Sequence, residues 1–158
     1  MVLGIDGCSK MLESARNKRE TLHRRERLTV LFVHSDIHCI KNPFLLGHVS
    51  GIWSCAALFT HTPKALIPKV LQSTNEVLED GGIFAVSYTQ GFQERAYNKL
   101  LLSRTGRIKY FSQPMAATIE NEVSSAGFKL IYQTQDNFDR EGKLVAKNLF
   151  VTQFFRKE

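Results

Sequence analysis

Residues 51–87 constrain the fold most strongly, because they place an amphipathic helix between two short apolar segments. The first segment, residues 51–57, lacks strict alternation of apolar and polar residues, which is typical of a parallel strand covered on both faces. Apolar residues then recur at spacings of three and four over residues 66–78, which predicts one helix face. The turn Asp80-Gly81-Gly82 is expected to end this helix before a strand at residues 83–87. Because β-α-β crossovers are right-handed, the two strands are predicted to lie parallel in one sheet.

Two acidic residues follow predicted strands nearer the amino terminus. Residues 2–5 form an apolar segment that ends at Asp6, and residues 28–34 are rich in β-branched and large apolar side chains and precede Asp36. Between these segments, Ser9 is placed to cap a helix that starts near Lys10. In a parallel sheet both acids would lie at the carboxyl ends of their strands, the edge where ligands bind in open α/β folds.

The carboxy-terminal part predicts an antiparallel hairpin. Residues 118–126 are expected to form a short helix that ends at Gly127, and strands are predicted at residues 128–134 and 149–155. The turn-forming segment between these strands is too short for a helical crossover, so the strands should pair antiparallel. The polar stretch at residues 90–107 is expected to be a mobile connection or a substrate-facing insertion.

Length and composition predict one domain over residues 1–158, since the chain is 43% hydrophobic and shows no repeat. Its longest strongly apolar run, residues 28–33, is too short to span a bilayer, and no apolar segment with a cleavage site follows Met1. A cytoplasmic location is therefore expected. The three cysteines are Cys8, Cys39 and Cys55. They form no C-x-x-C spacing, which argues against a disulfide framework and against a bound metal.

The formal net charge of +6 is unevenly distributed. Residues 10–27 hold seven lysines or arginines against three glutamates, a run that could contact phosphate or nucleic acid. The alternative is the solvated face of an amphipathic helix whose apolar, inward positions would be Met11, Leu12, Ala15 and, at its end, Leu22. No aromatic residues interleave with these charges as stacking platforms for bases. Nucleic-acid binding is therefore the weakest of the functions that stay open.

Five sequence motifs in a characteristic order resemble the Rossmann-like, class I S-adenosylmethionine-dependent methyltransferases. They are VLGIDGCSKMLESAR at residues 2–16, VHSDI at 33–37, GIWSCAALFTHTP at 51–63, LEDGGIFAVS at 78–87, and the pair formed by residues 106–111 and 126–128. In the family these motifs correspond to the second strand and its helix, the third, fourth and fifth strands, and the elements that lead to the terminal hairpin. The resemblance covers essentially the whole chain.

The resemblance implies an α/β fold with a mostly parallel sheet that is closed by the antiparallel hairpin. Its parallel strands would be residues 2–5, 28–34, 52–55 and 83–87. The family's first strand and its glycine-rich turn would precede residue 2, so the domain is expected to be incomplete at its amino terminus. In the family that strand lies between the strands that correspond here to residues 2–5 and 52–55. Without it these two are expected either to pair directly or to receive a strand from a second molecule, as in a homodimer through the exposed sheet edge.

The resemblance assigns contacts with the cofactor S-adenosylmethionine to six residues: Asp6, Met11, Asp36, Ile37, Ser54 and Cys55. Asp6 would accept both ribose hydroxyls, since a carboxylate presents two oxygens to a vicinal diol. Met11 would pack near the adenine, while Asp36 and the backbone of Ile37 would bind its amino group and ring edge. Ser54 and Cys55 would flank the methionine part. Without the motif, each aspartate could equally be a loop residue or helix cap, and Met11 a core residue.

Methyl transfer from a sulfonium needs mainly alignment of the nucleophile with the methyl group, and a general base only where the nucleophile must lose a proton. His61, just beyond the predicted fourth strand of the family, is the best-placed candidate base. Its alternative role is that of a capping or surface histidine. Two further functions stay open beside a methyltransferase acting on a small molecule: an inactive remnant of the fold that serves as an interaction module, and a basic nucleic-acid binder.

Overall fold

A computed structural model of the chain describes residues 2–22, 30–36, 48–91, 99–102, 108–136 and 149–158. The strands are β1 (Val2–Asp6), β2 (Val30–His34), β3 (Val49–Cys55), β4 (Leu78–Gln90), β5 (Lys99–Leu102), β6 (Ile108–Phe111), β7 (Phe128–Asp136) and β8 (Leu149–Lys157). The helices are α1 (Ser9–Leu22), α2 (Leu58–His61), α3 (Ile67–Val77) and α4 (Ala116–Ser124), and a 3₁₀ turn covers Lys64–Leu66. The chain divides into two compact units, Met1–Ile40 and Lys41–Glu158.

In the first unit β1 and β2 form a two-stranded parallel sheet with Val2 opposite Val30 and Asp6 opposite His34. The following helix begins at Ser9 because the carbonyl of Cys8 accepts the backbone N–H groups of residues 11 and 12, at 3.0 and 3.2 Å. The helix predicted to start near Lys10 is therefore confirmed, but Ser9 is its first residue and not its cap.

The inward face of α1 is narrower than the sequence predicted. Leu12 is 3% exposed and Ala15 is half-buried, whereas Met11 is 60% exposed. Adjacent residues on a helix point about 100° apart, so Met11 and Leu12 cannot both face a sheet of two strands. The prediction that Met11 faces inward is therefore wrong.

The second unit contains a four-stranded sheet in the order β3-β4-β8-β7. β3 and β4 pair parallel around the helical segment that joins them, while β8 pairs antiparallel with both β4 and β7. The predicted β-α-β unit and the predicted antiparallel terminal hairpin are thus confirmed. β4 is buried along most of its length because it has a partner strand on each side.

The described helices of this unit, α2, α3 and α4, pack against one face of the sheet. That face carries Phe84 and Tyr88 of β4 and Phe155 of β8, each at most 1% exposed. The ring of Phe59 in α2 lies 6.2 Å from the ring of Tyr88. The side-chain amide of Asn75 in α3 donates to the carbonyl of residue 126, just after α4, at 2.9 Å. This hydrogen bond links α3 to the end of α4. The core of the unit therefore lies between this face and the helices.

The glycine pair at residues 81 and 82 does not end α3 as the sequence predicted. The helix ends at Val77, and Leu78 is already extended with φ −74° and ψ 139°. β4 then forms a bulge, because Val49 pairs with Leu78 whereas Gly51 pairs with Ile83. Gly81 adopts a φ of +76°, which strongly favours glycine. The glycines therefore reset the strand register instead of stopping the helix.

The carboxy-terminal helix is confirmed: Ile119 and Val123 of α4 are fully buried, and Gly127, with φ +85°, follows as predicted. Within the polar stretch at residues 90–107, β5 pairs antiparallel with β6, which follows the stretch; the sequence did not predict this pair. The remainder of that stretch, residues 92–98 and 103–107, lies outside the described residues, as does the segment at residues 137–148.

β1 and β3 belong to different sheets. Within the described residues β1 pairs only with β2, and β3 pairs only with β4, so each has one side without a strand partner. The expectation that residues 2–5 pair directly with residues 52–55 is therefore wrong for the described strands. No helix within the described ranges is long and apolar enough to cross a membrane.

Candidate functional site

Asp6 lies at the carboxyl end of β1, held by a short network of backbone contacts. Its Oδ1 accepts the backbone N–H of Cys8 at 2.7 Å, and its carbonyl accepts the N–H of Ser35 at 3.2 Å. His34 Nε2 lies 2.9 Å from the carbonyl of Gly7, which can only accept, so this nitrogen donates. One carboxylate oxygen is thus anchored, while Oδ2 makes no hydrogen bond within the described residues. That oxygen can accept a ligand hydroxyl.

Asp36 lies two residues beyond the end of β2 and is exposed. Because β1 and β2 run parallel, Asp6 and Asp36 share the carboxyl edge of this sheet, as the sequence predicted for their position. Ile37 lies outside the described residues, and Met11 presents its side chain to solvent on α1. The ligand roles of these four residues stay predictions.

Ser54 and Cys55 end β3 in the second unit. The Oγ of Ser54 accepts the backbone N–H of Leu58 at 3.1 Å, so this hydroxyl helps to start α2. The thiol of Cys55 is exposed. The next residue, Ala56, has a φ of +50° and donates its N–H to the carbonyl of Ser87 at 2.7 Å. A left-handed alanine stores strain of the kind found at functional sites. Nothing in the sequence predicted it, since alanine is not a turn residue.

His61 connects α2 to β6. Its Nδ1 lies 3.1 Å from the carbonyl of Tyr110, and its ring lies 6.1 Å from the ring of Phe111. A carbonyl only accepts, so Nδ1 donates in this contact and Nε2 is left for another partner. The side chain is exposed. His61 therefore has a structural contact through one nitrogen and a basic nitrogen available on the other.

A buried polar chain crosses the helix-covered face of the second unit's sheet, and the sequence reasoning missed it. The hydroxyl of Tyr88 donates to Gln153 Oε1 at 2.7 Å. Gln153 Nε2 donates to Gln133 Oε1 at 2.9 Å and to the carbonyl of Ala116 at 3.3 Å. Burial, with a smaller effect of Glu120, raises the pKa of Tyr88 above its ordinary value, so the hydroxyl stays a donor. A glutamine at an inward position of an apolar strand was the available signal.

No metal site accompanies these residues in the described ranges. There, no group of three or more histidine, cysteine, aspartate or glutamate side chains comes close enough together to hold a metal ion.

No protein-family model matches the chain, and no curated protein matches it either. Solved structures do. A protein assigned as an S-adenosylmethionine-dependent methyltransferase from Listeria monocytogenes superposes with a TM-score of 0.75 at 14% identity, covering 99% of this chain and 80% of that one. A methyltransferase of the same kind from Mesorhizobium loti gives a TM-score of 0.69 at 16% identity, over 99% and 80% of the two chains.

A third similar structure carries ligands. The 1,6-didemethyltoxoflavin-N1-methyltransferase of Burkholderia thailandensis, solved with 1,6-didemethyltoxoflavin and S-adenosylhomocysteine, has a TM-score of 0.65 at 14% identity and covers 99% of this chain and 70% of that one. Taken with the strand order and the terminal hairpin, these likenesses show that the chain has the Rossmann-like α/β fold of class I S-adenosylmethionine-dependent methyltransferases. The fold expected from the motifs is confirmed.

Proposed function

We propose that the chain is a cytoplasmic methyltransferase that transfers a methyl group from S-adenosylmethionine to a small molecule. The observation that carries this proposal is the carboxylate of Asp6, fixed at the end of β1 with one oxygen anchored and the other available. The Burkholderia thailandensis neighbour, which shares the fold, acts by its name on 1,6-didemethyltoxoflavin. A carboxylate in this position suits the vicinal diol of a ribose.

The residues present fit S-adenosylmethionine in part. Asp6 and Asp36 share one sheet edge and provide acceptors for ribose hydroxyls and for an exocyclic amino group. The Ser54 hydroxyl accepts the N–H of Leu58 and keeps its own O–H as a donor for the methionine part of the cofactor. When bound, the cofactor supplies an activated methyl group, and the chain's own residues bind and orient the reactants.

His61 is the proposed base for an acceptor that must lose a proton. Its Nδ1 donates to a backbone carbonyl, which fixes the ring and leaves Nε2 to accept a proton from the nucleophile. An acceptor that reacts through a neutral amine nitrogen could lose its proton after methyl transfer, and the histidine would then act only in positioning.

Calorimetric titration of the whole chain tests the proposal. S-adenosylmethionine and S-adenosylhomocysteine should both bind, and ATP, which shares the adenosine but carries a triphosphate, serves as the control for unspecific nucleotide binding. Saturable binding of the first two with a clear preference over ATP supports the proposal. If neither S-adenosylmethionine nor S-adenosylhomocysteine binds better than ATP, the cofactor assignment is wrong.

A second candidate function, an interaction module, is favoured by the open edge of β3. Its sequence VSGIWSC holds no charge and no proline over seven residues. The opposite edge strand, β7, carries Lys129 and Asp136 and a bulge between Leu130 and Tyr132, the features that usually protect an edge from pairing. We propose that β3 of a second copy pairs here. Analytical ultracentrifugation should then show a dimer, and a monomer at every concentration would contradict this pairing.

A further inference from the structure

The turn after β1 is tied to β2 by hydrogen bonds from two consecutive residues, the last of β2 and the one after it. The carbonyl of Asp6 accepts the backbone N–H of Ser35 at 3.2 Å. The carbonyl of Gly7 accepts a hydrogen bond from His34, with 2.9 Å between Nε2 and the oxygen. Asp6 and His34 lie opposite each other in the parallel ladder. The turn that carries the candidate cofactor carboxylate thus receives one bond from a backbone and one from a side chain.

The two bonds make different demands on the sequence. Any residue except proline provides a backbone N–H at position 35. The carbonyl of Gly7, in contrast, is contacted by a side-chain donor, which many residue types at position 34 would lack. The second bond therefore depends on the identity of His34.

The carbonyl that His34 contacts belongs to the same peptide group as the N–H that anchors Asp6. The peptide between Gly7 and Cys8 offers its oxygen to His34 Nε2 and its N–H to Asp6 Oδ1, the latter at 2.7 Å. A trans peptide is planar, and its C=O and N–H point in opposite directions, so a bond that fixes the oxygen also fixes the direction of the N–H. We call this chain of bonds, from His34 through the Gly7–Cys8 peptide to Asp6, the peptide bridge.

The peptide bridge includes the most flexible kind of residue. Glycine has no Cβ and more backbone freedom than any other residue, so the orientation of the Gly7–Cys8 peptide depends on the hydrogen bonds at its two ends. Without the bond from His34, the peptide is held at its N–H alone. The direction from which this N–H reaches Asp6 Oδ1 would then vary, and the carboxylate would vary with it.

The imidazole takes the peptide oxygen and leaves the carboxylate open. A histidine opposite an aspartate could pair with it directly, yet His34 and Asp6 form no ion pair with each other in the part of the chain that the structure describes. Oδ1 of Asp6 is engaged by the peptide, and Oδ2 faces no donor among these residues. The arrangement orients a carboxylate without consuming its second oxygen.

We propose that His34 is a positioning residue of the candidate cofactor site, which holds the Asp6 carboxylate through the peptide bridge in the orientation that binds a ribose hydroxyl. This role rests on the proposed function, because the ribose belongs to the proposed cofactor. Groups in a chain of hydrogen bonds polarise one another, so the imidazole donor should also strengthen the bond from Cys8 to Asp6. His34 acts through Asp6 and does not contact the ligand.

Two variants of His34 separate its donor from its ring. His34→Phe keeps a planar ring and removes the donor, whereas His34→Gln keeps an N–H donor at the end of a side chain of similar reach. His34 is exposed, so the fold should survive both changes, as circular dichroism can check. The matched control is His48→Phe, the same replacement at an exposed histidine of the second unit.

Calorimetry with S-adenosylhomocysteine and its 2′-deoxyribose analogue measures the effect on ribose binding. His34→Phe should weaken S-adenosylhomocysteine binding about 2- to 13-fold, the range that corresponds to one ordinary hydrogen bond. Its affinity for the 2′-deoxy ligand should fall less, because that ligand lacks one of the hydroxyls, so the preference for ribose should narrow. His34→Gln should restore most of the affinity and the preference, and His48→Phe should change neither.

A double-variant cycle tests whether His34 acts through Asp6. If it does, His34→Phe should cause no further loss of affinity when it is added to Asp6→Ala, because the carboxylate that it orients is already absent. A full further loss in the double variant would overturn the proposal, since His34 would then act independently of Asp6.

Amide hydrogen exchange, followed by NMR on the chain without ligand, tests the peptide bridge itself. The Cys8 amide should exchange faster in His34→Phe and at nearly the original rate in His34→Gln, because its bond to Asp6 depends on the orientation of the peptide. The amides of α3 in the second unit should be unchanged and serve as the internal control. Equal exchange of the Cys8 amide in all variants would overturn the peptide bridge.

The binding results distinguish this role from the proposed function. If the unaltered chain binds neither ligand while the Cys8 amide responds to His34→Phe, the result contradicts the proposed function and supports the peptide bridge. If both ligands bind and the preference for ribose is the same with and without the donor at position 34, the cofactor assignment is supported and the role of His34 is overturned. Equal losses in His34→Gln and His34→Phe would also overturn it, because the imidazole ring and not its donor would then be required.

Discussion

Replacement of Asp6 by asparagine separates its two proposed roles. In the structure Oδ1 accepts the N–H of Cys8 and Oδ2 is open to a ligand. Asp6→Asn keeps one carbonyl oxygen for Cys8 but replaces the other acceptor with an NH₂ group and removes the charge. Asp6→Ala removes both acceptors. The pair of variants thus distinguishes a residue that binds a ligand from one that only shapes the turn after β1.

The magnitudes follow from the kind of hydrogen bond that is lost. A hydrogen bond to a charged group contributes about 1.5–3 kcal/mol, so both variants should bind S-adenosylmethionine roughly ten- to a hundredfold more weakly. The bond to Cys8 is exposed, so its loss in Asp6→Ala should lower the free energy of unfolding by no more than about 1 kcal/mol. Asp6→Asn should leave that free energy nearly unchanged.

Isothermal titration calorimetry measures the affinities, and urea unfolding measures the stabilities. Asp136→Asn, an exposed carboxylate at the end of β7, is the matched control and should bind as the unaltered chain does. If Asp6→Asn retains full affinity while only Asp6→Ala loses stability, Asp6 is a turn residue and the reasoning from its open oxygen is refuted. An equal loss in Asp136→Asn would point to a general effect of charge.

Three further predictions concern the second unit. Ala56→Gly should raise the free energy of unfolding by about 0.5–1 kcal/mol in urea titrations. A φ of +50° costs alanine roughly 1–2 kcal/mol, and the greater flexibility of glycine in the unfolded chain offsets part of the gain. A destabilised variant would show that the backbone at Ala56 is not strained. Gln153→Leu should lower the free energy of unfolding by about 2–5 kcal/mol, because it leaves the Tyr88 hydroxyl and Gln133 without partners. Adding Tyr88→Phe should restore part of that free energy, whereas strictly additive losses would show that the two side chains are not coupled. Burial raises the pKa of Tyr88 in the folded state, so its contribution to stability is complete below the ordinary tyrosine pKa of 10.0 and is lost as pH rises above it. The free energy of unfolding should therefore fall less steeply with alkaline pH in Tyr88→Phe than in the unaltered chain. An unchanged pH profile would contradict the burial of the hydroxyl.

The spacing of apolar residues predicted the helices and strands that bury one whole face. The helix at residues 67–77 and the strands on either side of it were predictable because apolar residues recur there at helical spacing between two short apolar runs. The terminal hairpin was predictable because its loop is too short for a crossover. Asp6 and Asp36 were placed correctly at one sheet edge for the same reason, since parallel strands align their carboxyl ends.

Features that depend on register were not predictable. Nothing local decides whether Gly81 stops a helix or forms a bulge in a strand, because both need the same backbone conformation. Trp53, Tyr132 and Phe154 are separated by up to about a hundred residues and become neighbours only through three pairings of strands. The left-handed backbone of Ala56 has no signal in residue type at all.

The position of β8 between β4 and β7 has a consequence for biosynthesis. During translation β4 and β7 emerge first, yet no ladder joins them to each other in the four-stranded sheet; both pair with β8, the last strand of the described residues. Until β8 leaves the ribosome, one edge of β4 stays open and its apolar face lacks Phe155. Such a nascent chain exposes strand edges that favour aggregation. The unit should therefore depend on chaperones until β8 has left the ribosome, and its yield should fall sharply when translation stalls before residue 149.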